Sequence, residues 1–130
     1  MMKYSCIAIL CLLALIGCTP ETPSEFKDLS AEQAQAALTK DQGVRVLDIR
    51  TPAEYMNGHI QGAKNVDYYS REFKEKLNEL DKNATYLVYC RSGNRSAKAM
   101  SLFRELGFSG ILHLKNGVKS WVVQGLPLVQ

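Results

Sequence analysis

One cysteine of this sequence is followed by residues that suit nucleophilic chemistry. The segment reads Cys90, Arg91, Ser92, Gly93, Asn94, Arg95 and Ser96. Its central residues are small or turn-forming, so the backbone can curl and point several N–H groups inward, which makes a nest for an anion. Such N–H groups lower the pKa of a thiol and hold a thiolate ready for attack. The two arginines suit an anionic substrate, so the segment predicts a reactive thiolate beside an anion site.

The elements on either side of Cys90 place it where parallel sheets bind ligands. Residues 85–89 are β-branched, aromatic and apolar, which predicts a buried strand that ends directly before the cysteine. A helix is predicted to begin at Arg95 or Ser96, because apolar residues then recur at helical spacing until Gly107. Ligands bind outside the carboxyl ends of the strands in an open parallel sheet, so this position favours a functional site.

Strands and helices alternate along the rest of the chain. Extended segments are predicted at Phe26, 44–49, 63–66 and 111–114, and helices after Ser30, from Thr51, over 70–80 and around Trp121. This alternation predicts an α/β fold with a parallel sheet covered on both faces. Asp48 and Arg50 stand at the end of the second strand. They could contact a substrate or pair across two loops, and we favour the structural ion pair.

Three stretches of the sequence resemble the rhodanese-like family. The segment Cys90 to Ser96 is similar to its active-site loop. Leu47 to Arg50 with Glu54 and Gly58 to Asn65 resembles its first signature. Leu114 to Pro127 with Gly117, Trp121 and Gly125 resembles its C-terminal one. Asn116 stands where a second glycine is common. The resemblance covers Phe26 to the end of the chain, and it implies a three-layer α/β sandwich with about five parallel strands and helices on both faces.

The resemblance also implies a two-step sulfur transfer. Cys90 would attack a sulfane-sulfur donor such as thiosulfate, become a persulfide, and pass that sulfur to a thiol or to cyanide. The donor would be bound by Arg91, Ser92, Gly93, Asn94, Arg95 and Ser96. Covalent catalysis of this kind needs no cofactor and no metal. His59 and His113 are not placed near Cys90 by the sequence, and we do not expect them to bind metal.

Three other interpretations of Cys90 remain open. A lone buried cysteine is often an inert member of the core, but the Gly, Ser and Arg residues that follow this one favour catalysis. A carrier or binding module that receives sulfur without turning over would have the same sequence. Cys-dependent phosphatases also hold an anion in such a loop, but they resemble Cys-x5-Arg. Arg95 makes this loop Cys-x4-Arg, one residue shorter, which should fit a sulfur better than a tetrahedral phosphate.

The beginning of the chain predicts export and a lipid anchor. A basic residue, Lys3, precedes an apolar run that ends at Ile16 and is too short to span a bilayer comfortably, as in a secretory signal peptide. The segment before Cys18 resembles the lipobox of bacterial lipoproteins, although an ordinary signal peptide with an incidental cysteine is the alternative. We therefore expect a lipoprotein signal peptide at 1–17, a lipidated cysteine and tether at 18–25, and a rhodanese domain at 26–130.

Localisation and partners follow from this organisation. The domain would face the periplasm from a bacterial membrane, and Thr19 in place of an aspartate after the lipidated cysteine favours the outer membrane. Cys6 and Cys11 would leave with the signal peptide and Cys18 would carry lipid, so Cys90 would be the single thiol. The chain of 130 residues has 22% charged residues and a net charge of +3, a balance that argues against nucleic acid as a partner.

Overall fold

The computed structural model describes residues 25–130 of the chain. Within this range the bounds of the strands and helices are β1 Glu25–Leu29, α1 Ala31–Lys40, β2 Arg45–Asp48, α2 Pro52–Met56, β3 Lys64–Asn65, α3 Phe73–Asn78, β4 Thr85–Tyr89, α4 Asn94–Glu105, β5 Gly110–Leu114 and α5 Gly117–Val123. The predicted signal peptide at 1–17 and the predicted lipidated cysteine and tether at 18–25 lie outside the described residues, except for Glu25, which is the first residue of β1. They stay predictions.

The five strands form one parallel sheet in the order β1-β5-β4-β2-β3. Strand β4 is central, because it pairs with β5 on one side and with β2 on the other. Its last residue, Tyr89, is followed at once by Cys90. The predicted parallel sheet of about five strands is therefore confirmed, and the cysteine lies at the carboxyl end of the middle strand.

Helices cover both faces of this sheet, which confirms the predicted three-layer arrangement. On β4, Tyr86 and Val88 belong to one core cluster with Cys90, and the intervening Leu87 and Tyr89 belong to the other, as the two-residue period of a strand requires. The first cluster lies under α3 and α4, and the second lies under α1 and α5. No helix within residues 25–130 is long and apolar enough to cross a membrane.

Local sequence explains where helices α1 and α2 begin. Helix α1 starts with a capping box in which the N–H of Gln33 donates to Ser30 Oγ at 3.2 Å. Helix α2 has the same arrangement between Thr51 and Glu54, with Pro52 at its first position. Helix α3 is shorter than the predicted 70–80, because residues 70–73 form a turn in which the N–H of Phe73 donates to the carbonyl oxygen of Ser70 at 3.1 Å.

Asp48 and Arg50 form the buried ion pair that the sequence favoured. Arg50 Nη2 lies 2.6 Å from Asp48 Oδ2, and the two side chains are 7% and 0% exposed. The same nitrogen donates to the carbonyl oxygen of Gly58 at 2.7 Å. Asn65 donates its side-chain N–H to the carbonyl oxygens of both residues. The pair thus joins the end of β2 to the loop after α2 and to β3, and this structural role is confirmed.

Candidate active site

Cys90 lies at the bottom of a loop that turns from β4 into α4. Its sulfur is nearly inaccessible, since the residue is 1% exposed. The backbone N–H of Gly93 donates to Cys90 Sγ at 3.1 Å, and Ser96 Oγ lies 3.3 Å from the same sulfur. Helix α4 begins at Asn94, one residue before the predicted start, so its N-terminus points at the sulfur. The loop forms the nest of donors that its residue types predict.

These contacts favour the ionised form of the thiol. Burial opposes ionisation and by itself raises the pKa of Cys90. Hydrogen bonds from the Ser96 hydroxyl and from the backbone N–H groups of Ser96, Gly93 and Ser92 act in the other direction. Together they outweigh burial, and the pKa of Cys90 falls below the ordinary value for a thiol. A low pKa and donors aimed at the sulfur are what an activated cysteine needs.

Two glycines allow the loop to approach its neighbours closely. Gly93 has φ of 97°, and a Cβ there would collide with the carbonyl oxygen of Lys115. Gly117 has φ of 66°, and a Cβ there would collide with the carbonyl oxygen of Arg91. Asn116, where a second glycine is common, has φ of −104° and ψ of 15°, which any residue can adopt. The departure from the family pattern therefore leaves the turn intact.

The start of α5 holds the loop from the other side. The N–H of Val118 donates to the carbonyl oxygen of Cys90 at 2.9 Å, and the N–H of Lys119 donates to that of Arg91 at 3.1 Å. Both donors are unpaired inside their own helix, because they belong to its first turn. The C-terminal signature that resembles the family thus fixes the backbone of the nucleophile.

A cleft of about 520 Å³ with basic residues opens beside the loop. It is lined by Glu54, Tyr68, Tyr69, Arg91, Ser92, Asn94, Arg95 and Lys98. Four of the six residues predicted to bind the donor therefore lie at this cleft, and the other two, Gly93 and Ser96, contact the sulfur itself. The cleft suits an anionic substrate, although one of its arginines already has a partner.

That partner is Glu54, which the sequence did not connect with Arg95. Arg95 donates to both carboxylate oxygens, at 2.8 and 2.9 Å. Its side-chain hydrogen bonds hold the pKa of Glu54 at about 2, below the ordinary 4.5, and the carboxylate in turn raises the pKa of Arg95. Arg95 thus joins the start of α4 to α2. Arg91 and Lys98 supply the positive charge at the cleft that an anionic substrate could contact.

Two further hollows differ in their distance from the nucleophile. One of about 500 Å³ borders the loop at Arg91 and α5 at Lys119, and its apolar side includes the exposed Val122 and Val123 of α5. A larger groove of about 890 Å³ lies between α1, the amino-terminal part of β2 and Trp121. We place the site at the smaller hollows, because they adjoin Cys90 at the carboxyl ends of the strands.

The structure brings one histidine to Cys90 that the sequence left unplaced. His113 Nε2 lies 2.6 Å from Ser96 Oγ, the hydroxyl that contacts Cys90 Sγ, and His113 Nδ1 lies 2.8 Å from Asp28 Oδ1. The sequence placed neither histidine near Cys90, and the structure now connects His113 to it through Ser96. In residues 25–130 no three His, Cys, Asp or Glu side chains are grouped in a way that could hold a metal ion.

Comparison with known proteins decides the family. A family model of the rhodanese-like domain matches residues 30–124, a range that contains the whole loop from Cys90 to Ser96. The chain belongs to the rhodanese-like domain family. Membership confirms the resemblance drawn from the three sequence stretches, and the sheet order and helix layers described above are those of a rhodanese-like fold.

Several known proteins are similar over most of this chain. A sulfurtransferase of Allochromatium vinosum is 31% identical over 102 residues, which make up 78% of this chain and 94% of that protein. The thiosulfate sulfurtransferase GlpE of Pseudomonas fluorescens is 37% identical over 98 residues, or 75% and 86% of the two chains. A rhodanese-related protein of Thermoplasma volcanium has a crystal structure that matches with a TM-score of 0.71 at 31% identity, covering 80% of this chain and 98% of that one.

Proposed function

We propose that this rhodanese-like protein is a sulfurtransferase in which Cys90 carries sulfur as a persulfide. The donor is a small anionic sulfane-sulfur compound such as thiosulfate, and the acceptor is a thiol or cyanide. Relatives named sulfurtransferase and thiosulfate sulfurtransferase support the class of reaction. The proposal requires no cofactor and no metal, because the nucleophile and the donors for negative charge are all protein groups.

The chemistry divides into two displacements at sulfur. In the first, the Cys90 thiolate attacks the outer sulfur of thiosulfate, a new S–S bond forms, and sulfite leaves with the electron pair of the old one. In the second, an acceptor thiolate or cyanide attacks the outer sulfur of the persulfide, and Cys90 leaves as a thiolate. The loop serves both steps, since it stabilises negative charge on sulfur before attack and on departure.

The observation that carries this proposal is the set of donors around Cys90 Sγ. The N–H of Gly93 at 3.1 Å and the hydroxyl of Ser96 at 3.3 Å stabilise an anionic sulfur and lower the pKa of Cys90. An inert core cysteine has no need of such partners. The basic cleft with Arg91 and Lys98 then supports capture of an anion next to the nucleophile.

The same geometry argues against a phosphatase. In a Cys-dependent phosphatase an arginine must be available to clamp the phosphate, but Arg95 donates to both oxygens of Glu54. The loop is also one residue shorter than Cys-x5-Arg. A carrier that does not turn over differs from an enzyme only in kinetics, so the test below separates the two.

Thiocyanate formation from thiosulfate and cyanide tests the proposal. The purified protein is expected to turn over many times, and Cys90→Ser is expected to reduce the rate to that of the buffer. A variant with Cys6, Cys11 and Cys18 replaced by serine is the matched control and should keep full activity. A single stoichiometric release of thiocyanate would indicate a carrier instead. Equal rates for the protein and for Cys90→Ser would contradict the proposal.

The proposal also includes a lipid anchor at Cys18, facing the periplasm from the outer membrane. The basic start, the short apolar run and the lipobox-like segment before Cys18 support it. Cells that express the full chain should incorporate labelled palmitate into it, and Cys18→Ser should remove the label and the membrane association. Fractionation of the two bacterial membranes tests the outer location. An unlabelled chain in the soluble fraction would overturn the anchor and leave the sulfur chemistry untouched.

A further inference from the structure

Four side chains form a hydrogen-bonded chain that begins at the nucleophile and ends at solvent. Ser96 Oγ lies 3.3 Å from Cys90 Sγ and 2.6 Å from His113 Nε2. On its other side, the His113 ring places Nδ1 at 2.8 Å from Asp28 Oδ1. The sequence distances are large, since Asp28 and His113 are 85 residues apart. The fold thus connects a carboxylate, an imidazole, a hydroxyl and a thiol through successive hydrogen bonds.

Three separate elements hold this chain in place. His113 is on β5 and stands in register with Asp28 on the neighbouring β1, and with Val88 on β4. Ser96 is in the first turn of α4, which packs on the same face of the sheet. Ser96 is 0% and His113 4% exposed, whereas the side chain of Asp28 is 63% exposed. The two inner groups are fixed by packing, and the outer carboxylate reaches water.

The positions of the protons follow from what each atom can accept. A carboxylate only accepts, so the Asp28 oxygen requires a proton on His113 Nδ1. A neutral His113 then has a lone pair on Nε2, to which the Ser96 hydroxyl donates. The carbonyl oxygen of Gly93, at 3.2 Å from Ser96 Oγ, is the alternative acceptor for that proton. With its proton committed to His113, Ser96 Oγ is free to accept from the S–H of Cys90.

We infer that Asp28, His113 and Ser96 form a proton relay that removes and returns the proton of the Cys90 thiol. The S–H proton moves to Ser96 Oγ while the Ser96 proton moves to His113 Nε2. The products are a thiolate, an intact hydroxyl that now donates to it, and an imidazolium that faces the Asp28 carboxylate. Charge is conserved, because one proton leaves sulfur and one arrives at the ring.

The relay deepens the proposed function and rests on it. The first displacement converts a thiol into an anionic persulfide, and therefore releases one proton from a cysteine that is 1% exposed. Asp28 and His113 give that proton a path to water, away from the basic cleft where the donor enters. His113 does not contact the sulfur, so we describe it as a positioning residue that acts through Ser96.

Strand β1, the turn after β5 and helix α4 each present side chains to the His113 ring, and two of them carry a charge. Strand β1 supplies Asp28, which stabilises an imidazolium. The turn after β5 supplies Lys115, which lines a cleft of about 450 Å³ together with His113. The positive charge of Lys115 disfavours an imidazolium. Helix α4 presents Ser96, which contacts the ring, and Ala97 and Met100, which line the cleft; none of the three is charged. The ionised Cys90, reached through Ser96, completes the set of charges around the ring.

Alkylation of Cys90 as a function of pH tests the relay without any sulfur donor. Every variant is the full chain with Cys6, Cys11 and Cys18 replaced by serine, so that Cys90 is the reacting thiol, and the probe is iodoacetamide. His113→Gln keeps an acceptor for Ser96 but cannot take a proton. We expect the pH midpoint of its alkylation to rise by about one unit, with an approximately tenfold slower reaction below that midpoint.

Two variants complete the comparison. Asp28→Asn keeps an acceptor for His113 Nδ1 and removes the negative charge. The pH midpoint of Cys90 alkylation should therefore rise in this variant too, but by less than in His113→Gln. His59→Gln is the matched control, because it removes the other histidine of the chain, which contacts the carbonyl oxygen of Tyr55. Its profile should match that of the parent. Superimposable profiles for the parent and His113→Gln, both folded by circular dichroism, would overturn the relay.

Histidine nitrogen chemical shifts give a second measurement that does not depend on a substitution in the relay. We expect neutral His113 to carry its proton on Nδ1, because Nδ1 faces the Asp28 carboxylate. The opposite tautomer would contradict the proton positions. Failure of the relay and failure of sulfur transfer remain distinguishable, since unchanged alkylation with persulfide formation intact overturns the relay alone. Shifted alkylation without any persulfide overturns the sulfurtransferase alone.

Discussion

At the scale of single residues, Gly93 is the loop position where the backbone has least freedom. Its φ of 97° and its contact with Lys115 leave no room for a Cβ. We expect Gly93→Ala to raise the pKa of Cys90, because the N–H that donates to its sulfur must move. Gly62→Ala is the matched control, since Gly62 has φ of 78° and a Cβ there would meet no atom within 4 Å. It should cost only about 1 kcal/mol of unfolding free energy.

Iodoacetamide alkylation and chemical denaturation measure these two effects together. Gly93→Ala should slow alkylation at neutral pH several-fold and lose more unfolding free energy than Gly62→Ala. Equal losses of stability, with alkylation of Cys90 unchanged in both variants, would show that the N–H of Gly93 does not activate the thiol.

The Glu54 carboxylate makes a second prediction at the residue scale. Because Arg95 lowers its pKa to about 2, ionised Glu54 stabilises the fold fully above its ordinary value of 4.5, and this stabilisation is lost as the pH falls toward 2. Glu54→Gln keeps the helix cap and removes the charge. We expect a loss of about 1 kcal/mol at pH 7, modest because water partly screens the pair.

Denaturant unfolding at pH 7 and at pH 3 checks this. The parent should lose more stability than Glu54→Gln over that interval, so the two curves should approach each other in acid. A constant gap between them would mean that the charge of Glu54 does not contribute to folding.

At the scale of elements, the Asp48–Arg50 pair joins β2 to the loop after α2. Arg50→Gln would leave the carboxylate of Asp48 buried and unpaired, so we expect a loss of about 3 kcal/mol in unfolding free energy. Arg45→Gln, at the start of β2, is the control, because Arg45 and Asp81 form an exposed pair that contributes less than about 1 kcal/mol. Similar losses for the two variants, measured in urea, would refute the structural role.

The sequence predicted individual elements but not the contacts between them. The run of β-branched, aromatic and apolar residues in β4 and the small residues after Cys90 are local signals, so the strand, the loop and the start of α4 were predictable. The link from His113 to Ser96 was not, because it depends on β5 lying next to β4 and on β1 lying next to β5. A single sequence does not encode strand order in any local pattern.

The pairing of Arg95 with Glu54 escaped prediction for the same physical reason. The two residues are 41 positions apart, and each has a local role that the sequence does show, in a helix start and in an active-site loop. They come together only because β2 and β4 are neighbours in the sheet, so that the start of α2 lies beside the loop after β4. Arg95 was therefore predicted to bind the donor, which stays a prediction, and the structure adds that it also clamps the loop.

At the scale of the whole molecule, the field around the site should draw in anions. The chain has a net charge of +3, and the cleft beside Cys90 contains Arg91 and Lys98. We expect the rate constant for persulfide formation with thiosulfate to fall roughly threefold as salt screens these charges between low ionic strength and about 0.5 M. Alkylation by neutral iodoacetamide is the control and should change much less. Equal salt dependence for the two reagents would rule out electrostatic capture.

The most direct test of the central claim is the intact mass of the protein after incubation with thiosulfate. The persulfide mechanism predicts a gain of one sulfur atom that is absent in Cys90→Ser and disappears when cyanide is added, as thiocyanate is formed. A folded protein whose Cys90 is alkylated readily, but which gains no sulfur from thiosulfate or from any other sulfane donor, would contradict it.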